Sequence, residues 1–500
     1  MIEHARVTSP KGWDRAPASL PRPESIRAVK VALAFVFIFG YFLLLSFDGL
    51  RAYFTSDDGM NLIMMHNCFT EPLWRLGVHA LEVCTAAYRP MGGLFYRIIY
   101  AFFHYDPLPF RVACYGILTI NLALAGLLLR CLSGAWEVAA VGTLLFSYHG
   151  MLVQLFYNSG TIYDLLCAAF YLIALLYYIY ARSERTELTG SQTVGLLVLY
   201  SCALDSKEMA ASMPLVLLAY ELIYHGIPQS WILAVWRRFR AIAVLVILTC
   251  AFTVVKVALP SPMTVNALYQ PGLSPHLILH NLSWYFNLLL YRRDFFTPHT
   301  ILLVVAFMFL VSWWMRSLAM LFGLVFSLTA MLPVLIIPPR DSFVLYLPLI
   351  GWSAWAAVLL VRARVILTSV LFSRMNFRRT RLTTQVALLV CLAAVLYPIH
   401  QRKRNDLRFS IRLEQSEMRD VLEQMKTSFP VLPHNARILF VDDPFEPGDW
   451  GLSFLLRLEY ADPTLVVARM KDTTNDGERL RRGFQYLFAY RQGILTRLPQ

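Results

Sequence analysis

The chain is short of charge for its length. Of 500 residues only 15% are Asp, Glu, Lys or Arg, against about a quarter in soluble domains, whose surfaces must stay wet. With 57% hydrophobic residues and a mean hydropathy of +0.53, one soluble globule of this size has no means of covering itself. Zinc-ligand spacing is also lacking. The eight cysteines form no CxxC and no Cys/His pattern, which excludes a structural zinc reading. Six of them (Cys114, Cys131, Cys167, Cys202, Cys250, Cys391) sit in or beside apolar runs and read as small core residues. Cys68 and Cys84 share one polar loop and pair only if that loop faces an oxidising compartment. No long basic stretch accompanies the net charge of +13, so nucleic acid is not expected as a partner.

What is present is a series of long apolar runs. A membrane-crossing helix takes about 20 mostly apolar residues. Runs near 29–49, 110–130, 136–153, 161–181, 194–206, 208–225, 241–259, 299–315, 317–337, 343–361 and 384–400 qualify. The expected fold is therefore an all-α polytopic membrane protein of about eleven transmembrane helices. Aromatics at 14%, with 25 Tyr and 11 Trp, suit a protein with two membrane–water interfaces to line. Residues 1–28 are polar, basic and Pro-containing, with no small-residue cleavage site before the first run. They read as a cytoplasmic tail followed by a signal anchor.

The basic clusters set the orientation. Arg22/Arg27/Lys30, Arg182/Arg185, Arg237/Arg238/Arg240 and Arg362/Arg364/Arg374/Arg378/Arg379/Arg381 lie between runs. Placing residues 1–28 inside puts nearly all of these inside too, as the positive-inside rule requires. The opposite, non-cytoplasmic face then collects the remaining chemistry. It receives the loop 50–109, Gln154, Tyr157, Asn158, Asp205, Lys207, Glu208, the loop 260–298, Arg340-Asp341 and the tail after 400. Ionisable groups near membrane depth cost about 2.5–3.5 kcal/mol at mid-span on insertion scales, so they tend to be kept for function.

Residues 401–500 differ in kind, being more charged and only briefly apolar. Leu407, Ile411, Met418, Val421, Leu422 and Met425 follow helical spacing, and Ile438–Val441 and Leu465–Ala468 read as strands. A small non-cytoplasmic α/β domain is expected, with spacer or interaction module as its plainest role.

The first outer loop is too long for a connector. It opens with Ser56-Asp57-Asp58-Gly59, and Tyr88-Arg89-Pro90-Met91 stands between two amphipathic stretches, Glu71–Val83 and Met91–Phe103. An acid pair and a guanidinium in one interfacial loop suit a reaction in which a hydroxyl loses a proton while a lipid phosphate departs. Against this, Asp57 and Asp58 also read as solvated helix-end charges, Arg89 as a snorkelling headgroup contact, and Lys207–Glu208 as an ion pair easing its own burial. Tyr269-Gln270-Pro271, His276, His280, Trp284, Tyr285 and Arg292-Arg293-Asp294 read either as a sugar-acceptor cleft or as interfacial anchors. His276 and His280 lack the intervening Glu of a zinc hydrolase.

Asp57-Asp58, Tyr88-Arg89-Pro90, Ser206-Lys207-Glu208 with Pro214 and Glu221, and Arg340-Asp341 with Leu345-Tyr346-Leu347-Pro348 occur in order over residues 30–360. In these the chain resembles the GT-C superfamily of polyprenyl-phosphate-sugar-dependent glycosyltransferases, in particular its protein O-mannosyltransferase-like branch. The resemblance implies inverting hexosyl transfer from a polyprenyl-monophosphate carrier to an acceptor hydroxyl of a glycan, lipid or protein. It places this at the non-cytoplasmic face of a plasma or inner membrane. It implies Asp57 as base, with Asp58 supporting and a possible contact to a divalent metal. Arg89, Lys207 and Arg340 would hold the lipid phosphate, with Tyr88, Glu208 and Tyr346 as acceptor or supporting residues. The chain departs from the family's Asp-Glu pair, and it carries no 34-residue repeat after the membrane domain. A polysaccharide ligase or polymerase using a diphosphate carrier remains a rival, as do a transporter or flippase and a non-catalytic scaffold.

Overall fold

A computed structural model describes residues 25–499 except 70, 71, 73, 76, 79–87, 186, 227–231, 259–269, 372–376 and 473–480. Most of the stretch Glu71–Val83, and Cys84, Tyr269 and Arg374, lie outside the described residues.

Among the described residues seven helices are long and apolar enough to cross a membrane. They are Val29–Arg51, Pro107–Ser133, Ser159–Glu184, Val235–Ala258, Leu318–Leu335, Ser342–Leu371 and the first part of Arg381–Ser428. The pair Trp136–Ser147 and Gly150–Tyr157, bent by 45°, brings the number to eight if it counts as one span. The expected count of eleven is not confirmed, since three of the runs fold as short or broken helices. The run at 194–206 folds as Gly190–Ser206, and after a break at Lys207 the run at 208–225 folds as a 3-10 turn Glu208–Ser212, the α-helix Met213–Tyr220 and a π turn Glu221–His225. Seventeen residues rise about 26 Å, and the hydrocarbon layer is about 30 Å thick. The helix Thr300–Trp314 is shorter still. Its exposed Leu303, Phe307, Leu310, Trp313 and Trp314 form an apolar surface suited to lipid.

The last span does not stop at the membrane edge. One helix runs over Phe377–Ser428, about 78 Å at 1.5 Å per residue, with Pro398 inside it. Position 401, where composition changes, therefore falls within a continuous helix. Beyond it lies a four-stranded sheet: β1 (Arg437–Asp442), β2 (Val466–Arg469), β3 (Tyr486–Arg491) and β4 (Ile494–Leu498), in the order β2-β1-β3-β4. β1 is parallel to β2 and β3, while β3 and β4 form an antiparallel hairpin. Gln492 and Gly493 both have positive φ at its turn, as a tight hairpin requires. The runs expected at 438–441 and 465–468 correspond to β1 and β2.

This α/β unit is packed onto the start of the first outer loop. The helix Gly451–Glu459 lies against the short helix Ser56–Met60, and Gln415 donates to the Tyr157 carbonyl at 2.9 Å. The sheet-bearing unit and the Asp57-Asp58 segment thus share one side of the bundle.

Candidate active site

The segment after the first span is organised around Asp58. Thr55 and Asp58 form a capping box, in which the Thr55 backbone N–H donates to Asp58 Oδ2 at 2.9 Å and Thr55 Oγ1 lies 3.1 Å from the same oxygen, its one proton shared between that oxygen and Asn158 Oδ1. Tyr96 donates to Asp58 Oδ1 at 3.1 Å, and buried Arg111 reaches Oδ2 at 3.4 Å. Asp58 is fully buried, with both oxygens engaged. It faces away from the cavity described below, and a metal would have to displace these partners. Among the described residues no group of three His, Cys, Asp or Glu is placed to hold a metal ion. The acid pair therefore divides, with one member inside the fold and the other at its surface.

Asp57 is the member at the surface. It lines a cavity of about 240 Å³ together with Tyr88, Arg89, Lys207, Glu208, Arg340 and Asp341. Residues separated by up to 287 positions (344 − 57) meet there. Asn158 Nδ2 donates to Asp57 Oδ2 at 3.0 Å, while Asn158 Oδ1 accepts from Thr55 Oγ1 and from the Gly160 N–H. The amide is held from two sides, so its N–H points at the carboxylate. Gly160 passes so close that an added Cβ would lie 2.8 Å from Asp57 Cβ. Asp57 is accessible from the cavity yet surrounded by protein. Burial is the largest influence and raises its pKa, the Asn158 N–H opposes this, and the charges of Asp58, Asp341 and Asp449 add to the rise.

Facing it is a set of pre-paired cations. Arg89 Nε and Nη2 donate to Glu208 at 3.2 and 2.7 Å, Nη1 donates to Tyr88 at 2.9 Å, and the guanidinium lies over the rings of Tyr88 and Tyr163. Arg89 has φ +44°, a left-handed conformation that costs a non-glycine residue about 1–2 kcal/mol, and it precedes the Pro90 that opens the helix Pro90–Phe103. The two-point bond to Glu208 holds it there. Lys207 donates to Asp164 Oδ1 at 2.6 Å and sits over the Phe343 ring. Asp164 takes one of the three N–H donors an ammonium carries.

Arg340 reaches the cavity because its loop is tied down. Pro333 lies inside the helix Leu318–Leu335, and the carbonyls of Leu335 and Ile337 accept from Asn281 Nδ2 at 2.9 and 2.7 Å. The Arg340 N–H donates to Tyr285 Oη at 3.0 Å. Asn281 and Tyr285 belong to the helix Pro275–Leu289. That part of the loop 260–298 thus supports the cavity wall. His276 and His280 lie on the same helix with stacked rings and do not line the cavity.

Tyr346 and Glu221 are placed elsewhere. Tyr346 is buried and stacked on Phe146, and Glu221 accepts from Tyr178, Arg182 and Arg238 in a separate buried cluster. Asp164, Tyr163 and Asn61 also line the cavity. Tyr163 donates to Asn61 at 2.6 Å and lies 2.8 Å from His66 Nε2. Burial, helped by Arg97 and Arg89, lowers the His66 pKa to about 3, so it is neutral. Asp164 had a signal in the sequence: a carboxylate at the start of an apolar run is costly and seeks a cation.

No family model and no curated protein sequence matches the chain. Among solved structures it is similar to ArnT from Cupriavidus metallidurans bound to undecaprenyl phosphate, with 14% identity and a TM-score of 0.46 over 94% of this chain and 97% of that one. It is likewise similar to the same protein in the apo state, with 15% identity and a TM-score of 0.47 over 93% of each chain.

Proposed function

We propose that this chain is a membrane glycosyltransferase of the GT-C kind. It would move a sugar, a hexosyl group in the first instance, from a polyprenyl monophosphate to an acceptor hydroxyl on the non-cytoplasmic side. The observation that carries this reading is the meeting of Asp57 with Arg89, Lys207 and Arg340 around one cavity.

In the proposed reaction Asp57 takes the acceptor's hydroxyl proton. The acceptor oxygen attacks the anomeric carbon from the side opposite the phosphate. The bond from that carbon to the phosphate oxygen breaks, its electron pair leaves with the polyprenyl phosphate, and the anomeric configuration inverts. Phosphate is already a competent leaving group, so the protein's work is placement and charge compensation. Arg89 is suited to a phosphate by its planar fork, and Lys207 as a compact charge. Glu208 and Asp164 keep both cations in position before the donor arrives. Asp58 supports through the capping box rather than by touching substrate.

The test is transfer of labelled sugar by purified protein from a panel of polyprenyl-phosphate pentoses and hexoses, with membrane extract as acceptor. Asp57→Asn should abolish label transfer in a folded protein. Equal transfer by wild type and Asp57→Asn would remove Asp57 as base.

A further inference from the structure

The sheet-bearing unit does more than lie near the site, because its contact falls on the residue next to Asp57. Ser56 Oγ donates to Asp449 Oδ1 at 2.8 Å, and Glu414 Oε1 stands 3.4 Å from the same hydroxyl. Asp449 Oδ1 also accepts from the Gly451 N–H at 2.7 Å, at the start of the helix Gly451–Glu459. Gly451 is pressed against Ser56: an added Cβ would lie 2.4 Å from Ser56 Oγ. On the far side of the same turn, Gly59 lies against Phe454 and Leu455. The helix Ser56–Met60 has only five residues, too few to be stable alone. It is held from within by Thr55 and Asp58, and from outside by Asp449 and the helix that follows it.

We infer that Asp449 is a positioning residue for Asp57, and that the C-terminal unit, through its bond to Ser56, sets how the catalytic carboxylate is held. This rests on the reading of Asp57 as base. The unit is then a working part of the site rather than a spacer. Orientation passes through the Ser56 hydroxyl bond, and proton affinity through the nearby negative charge. The charged and titratable groups facing Asp57 are Asp58, Asp449, Glu414 and, around the cavity, Tyr88, Arg89, Tyr163, Asp164, Lys207, Glu208, Arg340 and Asp341. Among the described residues, Asp449 and Glu414 are those that come from beyond the membrane bundle. Removing the Asp449 charge should therefore lower the pH at which Asp57 titrates.

Two substitutions separate the two effects. Asp449→Asn keeps an oxygen to accept from Ser56 and Gly451 but removes the charge. Ser56→Ala keeps the charge and removes the bond, leaving the C-terminal unit untouched. Full-length protein in lipid nanodiscs is titrated by infrared spectroscopy, with the Asp57 carboxylate band isolated by subtracting the Asp57→Asn spectrum. Amide hydrogen exchange is followed over residues 55–60. Asp449→Asn should shift the Asp57 titration to lower pH with exchange near wild type. Ser56→Ala should speed exchange over 55–60 and broaden the titration. The inference is overturned if Asp449→Asn leaves the titration in place and Ser56→Ala leaves exchange unchanged. These readouts need no donor, so they are separate from the transfer assay. A shifted titration beside full transfer by Asp57→Asn would sink the base assignment instead.

Discussion

Arg89 Nη2 donates to Glu208 Oε2 across 2.7 Å, joining two residues 119 positions apart at the wall of the cavity. The pair fixes the Arg89 side chain on one edge and holds its left-handed backbone. Arg89→Lys retains the charge and loses the planar fork. On the proposed reading, the expected outcome is about tenfold weaker binding of a polyprenyl phosphate, measured on purified protein. Glu208→Gln leaves a guanidinium in a mostly buried place without its charge partner. Breaking a buried pair costs about 3–5 kcal/mol, and the partial exposure of Glu208 puts this one at or below the lower end. A fall in thermal midpoint is expected. Wild-type lipid binding by Arg89→Lys would take Arg89 out of the phosphate site.

Activity should depend on pH through Asp57. A base must be deprotonated to act, so kcat should rise with pH through a carboxyl pKa lying above its ordinary value, because burial and neighbouring acids raise it. Stability has the opposite sign. A carboxyl whose pKa is raised by folding contributes stability that is full below its unfolded pKa and lost as pH rises through the folded one. Asp57→Asn removes that loss. At neutral pH the variant should be inactive, with about 10²–10⁴-fold lower kcat, and melt at or above the wild-type midpoint. A clearly lower midpoint would make Asp57 a structural acid.

The helical membrane class was legible because apolar runs of span length admit no other reading. The span count was less so: Lys207 and the 3-10 turn Glu208–Ser212 split an apolar region into two α-helices, and hydropathy averages across them. The site shows the same division. Asp57, Arg89, Lys207, Glu208 and Arg340 stood out as ionisable groups beside apolar runs, and they line one cavity. Which member of Asp57-Asp58 faces it depends on Arg111 and Tyr96, which contact Asp58 from other helices. Asn158 stood out only as one polar residue of a short segment between apolar runs, and Gly160 carries no local mark of its role. Their importance is a matter of distance to Asp57, which only tertiary structure supplies.

Gly160→Ala tests how tightly that carboxylate is placed. The new methyl group would sit 2.8 Å from Asp57 Cβ and 2.9 Å from Asn158 Oδ1, so one of them must move. Small misplacement of a reacting group can cost about a hundredfold in rate. A loss of tenfold or more in kcat is expected, with the donor KM little changed, since the cations lie on other elements. Full kcat in this variant would show that Asp57 has slack.

Asp58 makes the complementary case. Its carboxylate is buried against Arg111, which is 1% exposed and also donates to the carbonyls of Ala52 and Tyr53. Asp58→Asn would leave that guanidinium without its counter-charge, and its N–H donors would face Thr55, which now donates to Asp58. The expected cost is about 3–5 kcal/mol of stability, read as a lower midpoint in thermal melts of the detergent-solubilised protein. Whatever fraction remains folded should still transfer sugar, with the pH dependence set by Asp57. The pair Asp58→Asn and Arg111→Met should recover part of the loss, because removing both partners avoids the unpaired buried charge. If Asp58→Asn instead melts like wild type and loses only kcat, Asp58 belongs to the chemistry and the division of the acid pair is wrong.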